Sequence, residues 1–262
     1  MIEFRNVTRK YGQKVAVDGL SLTVPPGELF AFLGPNGAGK TTTIKMLVGL
    51  LRPDAGDVKV CGYDALTQPR LAARCIGYVP DEPFLYDKLS GREFLEFAAE
   101  MRGLAAAVIP ERVARETDRF QLAEFLDQMI ETYSHGMRQR LVFASALLHD
   151  PAVVVIDEPT VGLDPRSVRL VKDLLRTLAA AGRAIFMSTH ILAVAEEIAD
   201  RIGIVDRGRL HFVGTMSDLR QKMSSPQASL ERFFLELTDG ANGRGDPAAL
   251  SREHPGPVLP ST

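Results

Sequence analysis

The chain has 262 residues, of which 45% are hydrophobic and 24% are charged, and its formal net charge is -2 at pH 7. This length allows a large buried core, and the small net charge gives no electrostatic reason to expect nucleic acid or acidic lipid as a partner. The first residues lack the apolar stretch of a signal peptide, and no window approaches about 18 uninterrupted apolar residues, so we expect neither a leader nor a membrane span.

The N-terminal part of the chain is predicted to be rich in strands. Strands are predicted where apolar and polar residues alternate or where apolar residues run together, at residues 2–8, 20–24, 29–33, 58–60 and 76–79. Between the third and fourth of these strands, residues 41–51 carry apolar side chains at helical spacing, which predicts a helix.

The middle and C-terminal parts alternate helices with further strands. A helix is predicted to begin at Ser90, where Glu93 occupies the capping-box position, and a helical pattern continues from about Pro110 to Met129. Further elements are predicted as strands at residues 153–156, 184–187 and 202–205, a helix around residues 171–178 and a hairpin turn at residues 206–208. Strands that alternate with helices indicate an α/β core with a mostly parallel sheet, interrupted by a helical block near residues 88–145.

The C-terminal segment has a different composition from the rest. Residues 229–237 fit a short amphipathic helix that docks on the core. Residues 240–262 are rich in Pro, Gly, Ala and Ser and show almost no apolar periodicity, so we expect a flexible tail there.

A glycine-rich run between the predicted strand 29–33 and the predicted helix 41–51 matches the phosphate-binding pattern G-x-x-x-x-G-K-S/T. Its residues are Gly34, Pro35, Asn36, Gly37, Ala38, Gly39, Lys40, Thr41 and Thr42. The glycines let backbone N–H groups turn toward an anion, and the helix N-terminus adds its dipole. In such a loop Lys40 is expected to reach the β- and γ-phosphates of a nucleotide, and the Thr41 hydroxyl is expected to bind Mg²⁺.

Candidate catalytic side chains follow the predicted strands 153–156 and 184–187. Asp157 is placed to hold Mg²⁺ through its water shell, and Glu158 beside it is placed to accept a hydrogen bond from an attacking water. His190 follows the next core strand, where an imidazole would contact the γ-phosphate and sense its loss.

A second candidate anion site lies at residues 133–140. Ser134 supplies a hydroxyl at the predicted start of a helix, and Gly136 leaves the backbone N–H groups unobstructed. One triphosphate does not need two such sites in one chain, so we expect this site to serve the nucleotide of another molecule.

These motifs resemble those of the ATP-binding subunits of ABC transporters, and they occur in the family's order over residues 1 to about 220. The residues that carry the resemblance are Tyr11, which matches the aromatic that stacks on adenine, Gly34–Thr42 (Walker A), Tyr133–Met137 (signature), Val153–Glu158 (Walker B), Val161–Asp164 (D-loop) and His190 (switch histidine).

Three motifs depart from the family pattern. The signature has His135 and Met137 in place of a glycine and a glutamine, and the D-loop has Val161 where serine is common. The family's Q-loop glutamine is replaced by Asp81, which can still bind Mg²⁺ but cannot donate a hydrogen bond at neutral pH. These variants, with a short segment at residues 230–238, resemble exporters of the drug, sodium, antibiotic-resistance and lipid type.

The resemblance implies a phosphate-loop fold with an antiparallel β subdomain, an ATPase domain over residues 1–239 with helices inserted at about 88–145, and a tail at 240–262. It implies ATP and Mg²⁺ as cofactors, with Asp164 among the nucleotide contacts and Asp81 among the metal contacts. It further implies that two copies pair around ATP and drive a separate membrane-spanning permease from the cytoplasmic side of the membrane, where the subunit is peripheral.

Other functions remain open from the sequence. A soluble ABC ATPase that acts on ribosomes or DNA is disfavoured by the single phosphate loop, the short inserted segment and the small net charge. A GTPase is disfavoured because no Asn-Lys-x-Asp motif is present, and a nucleotide kinase because no acceptor pocket is evident. An importer subunit is disfavoured by Asp81 and Met137 through resemblance alone.

Overall fold

The computed structural model describes residues 1–82, 84–160 and 165–222. Its strands are β1 (Ile2–Tyr11), β2 (Lys14–Val24), β3 (Leu29–Leu33), β4 (Ala55–Val60), β5 (Tyr63–Asp64), β6 (Ile76–Val79), β7 (Val153–Asp157), β8 (Ala184–Thr189), β9 (Arg201–Asp206) and β10 (Arg209–Gly214). Its α-helices are α1 (Lys40–Leu47), α2 (Pro69–Arg74), α3 (Gly91–Met101), α4 (Ile109–Phe120), α5 (His135–Leu147), α6 (Pro165–Ala180), α7 (Leu192–Ile198) and α8 (Met216–Gln221).

The strands form two sheets. One sheet is antiparallel, with the order β2-β1-β4-β5. The other has the order β10-β9-β3-β8-β7-β6, and its strands are parallel except for the edge strand β10, which forms a hairpin with β9. The predicted α/β core with a mostly parallel sheet and an antiparallel subdomain is therefore confirmed.

The parallel sheet is buried on both faces, which explains its continuous apolar strands. In β3, Phe30 and Phe32 face the antiparallel sheet and α1, where both rings pack on Phe186 with centroid distances of 5.8 and 5.4 Å. The alternate side chains of the same strand, Ala31 and Leu33, belong to the core on the helical side of the sheet. The loops that carry the predicted site residues leave the carboxyl ends of these strands, so a core packed on both faces of the sheet positions them.

Several predicted boundaries shift in the structure. The first two strands extend toward each other, to Tyr11 and from Lys14, because they pair along their whole length. Helix α1 ends at Leu47 instead of residue 51, since Gly49 adopts a positive φ of 77° and the chain turns back onto Lys45.

The helical pattern expected from about Pro110 to Met129 is also shorter in the structure. Helix α4 ends at Phe120 because Gln121 adopts a left-handed conformation with φ of 52°. The apolar residues beyond it, including Phe125, are buried in turns, so their apolar spacing is not helical. The capping box of Ser90 and Glu93 at the start of α3 is confirmed, as is the hairpin turn between β9 and β10.

Three predicted segments lie outside the described residues: the D-loop at 161–164, the amphipathic segment at 229–237 and the tail at 240–262. Among the helices that the structure does describe, none has both the length and the apolar character needed to cross a bilayer.

Candidate nucleotide-binding site

The phosphate loop connects β3 to α1, and close backbone contacts require two of its glycines. A side chain at Gly34 would place its Cβ atom 2.3 Å from the carbonyl oxygen of Val205. At Gly39 the backbone has φ of +109°, and a Cβ atom would lie 2.4 Å from the carbonyl oxygen of Ala16. No other residue fits either position without backbone movement, so the glycines hold the loop against β2 and β9.

Lys40 lies at the centre of this loop and is only 6% exposed. Its Nζ atom donates to the carbonyl oxygens of Gly34 at 2.8 Å and Pro35 at 3.3 Å. The same atom is 3.4 Å from Oε1 of Glu158, the carboxylate predicted to activate water. A buried ammonium group is thus held where the loop would enclose a phosphate, with a carboxylate as its partner.

The predicted acids Asp157 and Glu158 lie at the end of β7, beside the end of β8. The Ser188 hydroxyl on β8 donates to Oδ1 of Asp157. The backbone N–H of Glu158 donates to two oxygens of Ser188, Oγ and the carbonyl oxygen, each at 3.2 Å. Glu158 has a left-handed backbone, with φ of 50°. A left-handed backbone costs a non-glycine residue on the order of 1–3 kcal/mol, so the contacts around Glu158 must hold it in this conformation.

His190 lies directly against Glu158. Its Nδ1 atom is 3.0 Å from Oε2 of Glu158, and its backbone N–H donates to the same oxygen at 3.4 Å. Lys40 contacts the other carboxylate oxygen, so the structure brings these three predicted residues together. The carboxylate is oriented from both sides, as a group that must accept a proton from a bound water would need to be.

Asp81 is the acid that replaces the Q-loop glutamine, and it follows β6 at the same edge of the sheet. Burial raises its pKa, and the carboxylates of Asp157 and Glu158 raise it further. Tyr78 lies within β6, three residues before Asp81. Its pKa is raised to about 12, mainly by burial and also by the negative charge of Asp157. Three carboxylates therefore act on one another near the predicted metal position, and a bound cation would reduce their mutual repulsion.

Lys40, Asp81 and Glu158 border a surface pocket of about 260 Å³. The residues that line it are Tyr11, Lys14, Ala16, Asn36, Gly37, Gly39, Lys40, Thr41, Thr42, Asp81 and Glu158. The rest of the predicted phosphate loop does not line this pocket: Gly34 and Ala38 are buried, and Pro35 is half-buried. Tyr11, separated by more than twenty residues of sequence from the loop, thus borders the same pocket as the predicted phosphate contacts.

Outside the phosphate loop, four predicted site residues of the described chain do not line this pocket: Asp157, His190, Ser134 and Gly136. Ser134 and Gly136 lie at the N-terminus of α5, where the Ser134 hydroxyl accepts a hydrogen bond from the Met137 backbone N–H at 3.3 Å. Another predicted contact, Asp164, lies outside the described residues.

The sequence motifs missed three residues of the site. Lys14 and Ala16 line the pocket because β2 passes beside the loop, and no local pattern marks them. Ser188 is one strand away from Asp157 in space, and the only sequence signal for it is its place at the end of an apolar run, two residues before His190.

The site combines a glycine loop between a central strand and a helix, a buried lysine in that loop, and paired acids at the end of β7, two strands away in the same sheet. These features define a phosphate-loop nucleoside-triphosphate-binding protein. The chain matches the model of the ABC transporter family over residues 17–161, more than half of its length. The chain belongs to this family, as an ATP-binding subunit, and its class of activity is ATP hydrolysis.

Curated relatives and a solved structure agree with this placement. The chain is 38% identical over 262 residues to the daunorubicin/doxorubicin resistance ATP-binding protein of Streptomyces peucetius, a match that covers 95% of this chain and 79% of the relative. It is 42% identical over 208 residues to the Nod factor export ATP-binding protein I of Burkholderia orbicola, covering 79% of this chain and 68% of the relative. A solved ATP-binding subunit of an ABC transporter superposes with a TM-score of 0.84 at 34% identity, covering 90% of this chain and 99% of that one.

Proposed function

We propose that this chain is the ATPase of an exporter: it pairs with a second copy around ATP and drives a separate permease from the cytoplasmic face of the membrane. The observation that carries the ATPase part is the arrangement of Glu158 between Lys40 and His190. Export as the direction of transport is supported by relatives whose names describe resistance and export.

The roles of the pocket residues follow from their positions. Lys40 and the loop amides bind the β- and γ-phosphates, and Tyr11, which borders the same pocket, stacks on the adenine. Glu158 accepts the proton of the attacking water, while His190 holds that carboxylate and contacts the γ-phosphate. Nothing in this scheme requires Lys40 to move far, because its Nζ atom already lies at the centre of the loop.

We infer that Mg²⁺ is held by Thr41, Asp157 and Asp81 together with phosphate oxygens. In the parts of the chain that the structure describes, no group of three or more His, Cys, Asp or Glu side chains forms a metal site by itself. Such a sparse set of hard oxygen donors fits Mg²⁺, which binds through one or two carboxylates plus substrate phosphates. The ion supplies neutralisation of the phosphate charge when it is bound.

The second copy is required because the signature residues do not reach the pocket of their own chain. Ser134 is exposed at the start of α5, and a Cβ atom added at Gly136 would meet nothing closer than 4.0 Å. A helix of 13 residues with an open, capped N-terminus is suited to contact an anion from outside. A head-to-tail dimer would place this N-terminus over the γ-phosphate in the neighbour's pocket.

Mixing two inactive variants tests this dimer. Lys40→Ala disables the loop and Ser134→Arg blocks the signature, so each variant alone should lack activity. In a mixed dimer one of the two sites is complete, because the Ser134→Arg copy supplies an intact loop and the Lys40→Ala copy supplies an intact signature. We expect a one-to-one mixture to recover about one quarter of the wild-type ATPase rate, since half of randomly paired dimers carry one good site of two. A mixture as inactive as its two components would contradict shared sites.

The permease contact is proposed at an aromatic cluster that follows Asp81 in the chain. Phe84 is 82% exposed, and its ring makes an edge contact with Tyr86 at 5.5 Å between centroids. Tyr86 makes a second edge contact, at 5.6 Å, with the exposed Phe97 on α3. An exposed aromatic group of this size is typical of an interaction surface. Its position, close in the chain to Asp81, would couple permease movement to the nucleotide pocket.

Replacing Phe84 by Ser should weaken co-purification with the permease. We expect the loss to be about tenfold or more, as for exposed aromatic residues at the centre of an interface. The thermal stability should not change, because the side chain is almost fully exposed. Leu50→Ser, which removes an exposed leucine just beyond α1, is the matched control. Equal permease recovery with Phe84→Ser and with the control would rule out this surface.

A further inference from the structure

The ring of Tyr11 is covered on one face by an arginine of its own strand. The guanidinium carbon of Arg9 lies 5.0 Å from the centroid of the Tyr11 ring, within the range of a cation–π contact. Tyr11 itself borders the nucleotide pocket and is 48% exposed. One face of the ring is therefore occupied by a fixed charge, while the side chain as a whole remains accessible from the pocket.

Arg9 is in turn held by the turn that precedes β4. Its Nη1 atom donates to Oδ1 of Asp54 at 2.9 Å and to the carbonyl oxygen of Arg52 at 3.1 Å. The second oxygen of the same carboxylate, Oδ2 of Asp54, accepts the backbone N–H of Lys10 at 2.7 Å. The carboxylate thus binds both the guanidinium and the backbone between Arg9 and Tyr11.

A further backbone contact closes this arrangement. The Asp54 N–H donates to the carbonyl oxygen of Thr8 at 2.8 Å, so the turn and the end of β1 are joined through both backbone and side chain. Most of the Arg9 side chain is covered, with 23% of it exposed. The guanidinium plane is therefore fixed by groups that lie outside the nucleotide pocket.

We propose that Arg9 is a positioning residue for the purine base: it fixes the Tyr11 ring from behind so that the opposite face is presented to adenine. This inference rests on the proposed role of the pocket in ATP binding. Without Arg9, the Tyr11 side chain would lose conformational entropy when the base binds. Ordering the ring before binding removes that entropic cost. The effect concerns the base alone, because Arg9 is not among the residues that line the pocket near the phosphate loop.

The test compares ATP with inorganic tripolyphosphate, which has the phosphates but no base. Both are titrated calorimetrically in EDTA, so that no hydrolysis occurs. Arg9→Ala should weaken ATP binding roughly fivefold, from the lost cation–π contact and the freed ring, and leave tripolyphosphate binding unchanged. Arg9→Lys keeps a positive charge near Asp54 and should recover part of the loss. Arg5→Ala removes an exposed arginine of the same strand and should change neither titration.

A double-mutant cycle with Tyr11→Ala separates positioning from a merely structural role. Once the ring is absent, Arg9→Ala should cause no further loss of ATP affinity. An equal effect of Arg9→Ala with and without Tyr11, or equal weakening of ATP and tripolyphosphate, would overturn the proposal. Failure of the wild-type chain to bind ATP would instead contradict the proposed function, so the two failures are distinguishable.

Discussion

Glu158→Gln is expected to bind ATP with nearly normal affinity but to hydrolyse it about a hundredfold to ten-thousandfold more slowly, the range that a positioned general base contributes. The amide has the size of the carboxylate but cannot accept the proton of the attacking water. It also exchanges the ion pair with Lys40 for a weaker contact, which leaves that ammonium group free for phosphate. Steady-state ATPase assays and nucleotide titrations on the same preparation measure both effects.

The same variant should accumulate as a dimer when ATP is present. Hydrolysis removes the γ-phosphate that the two copies are proposed to share, so blocking it leaves the dimer closed. Size-exclusion chromatography with multi-angle scattering would show the doubled mass with ATP and the monomer without it. Glu96→Gln replaces an exposed glutamate on α3 and is the control for the loss of one negative charge. Normal turnover by Glu158→Gln would show that another group activates the water.

Lys40→Ala should lower ATP affinity by about tenfold to a hundredfold, the value expected when charge-assisted hydrogen bonds to phosphate are lost. The change also leaves the Glu158 carboxylate without its ammonium partner, which adds repulsion toward the phosphates. Equilibrium titration with ATP at constant salt measures the affinity, and a thermal melt without nucleotide shows whether the fold is preserved.

The matched control for this lysine is on the same helix. Lys45→Ala removes an exposed lysine five residues further along α1 and should leave ATP affinity unchanged. Because the two variants lose the same charge, any difference between them reports the position of Lys40 in the loop. Unchanged ATP binding in Lys40→Ala would contradict the role proposed for its side chain.

Local chemistry made much of the fold predictable. Residues 29–33 of β3 and 153–156 of β7 are all apolar because a central parallel strand is buried on both faces, and this pattern is visible in the residues alone. The start of α3 was equally predictable, since the capping box of Ser90 and Glu93 is a contact between residues three apart. Both signals depend on neighbours in sequence.

The ends of elements were less predictable because they depend on distant partners. The extension of β1 to Tyr11 follows from pairing with β2. The early end of α4 follows from Gln121, whose left-handed backbone directs buried residues such as Phe125 into turns. An apolar residue in a buried turn is of the same type as one on the buried face of a helix. The spacing of apolar residues therefore did not distinguish a turn from a helix in this segment.

The sequence by itself determined the chemistry of the site: a glycine loop with Lys40, and acids directly after an apolar strand, are encoded by adjacent residues. Only the tertiary structure decided how these groups meet. It placed Glu158 between Lys40 and His190, tied Asp157 to Ser188, and set Arg9 behind Tyr11. The physical reason is that hydrogen bonds and ion pairs between side chains act over a few ångströms, and which side chains come that close is set by strand order and packing.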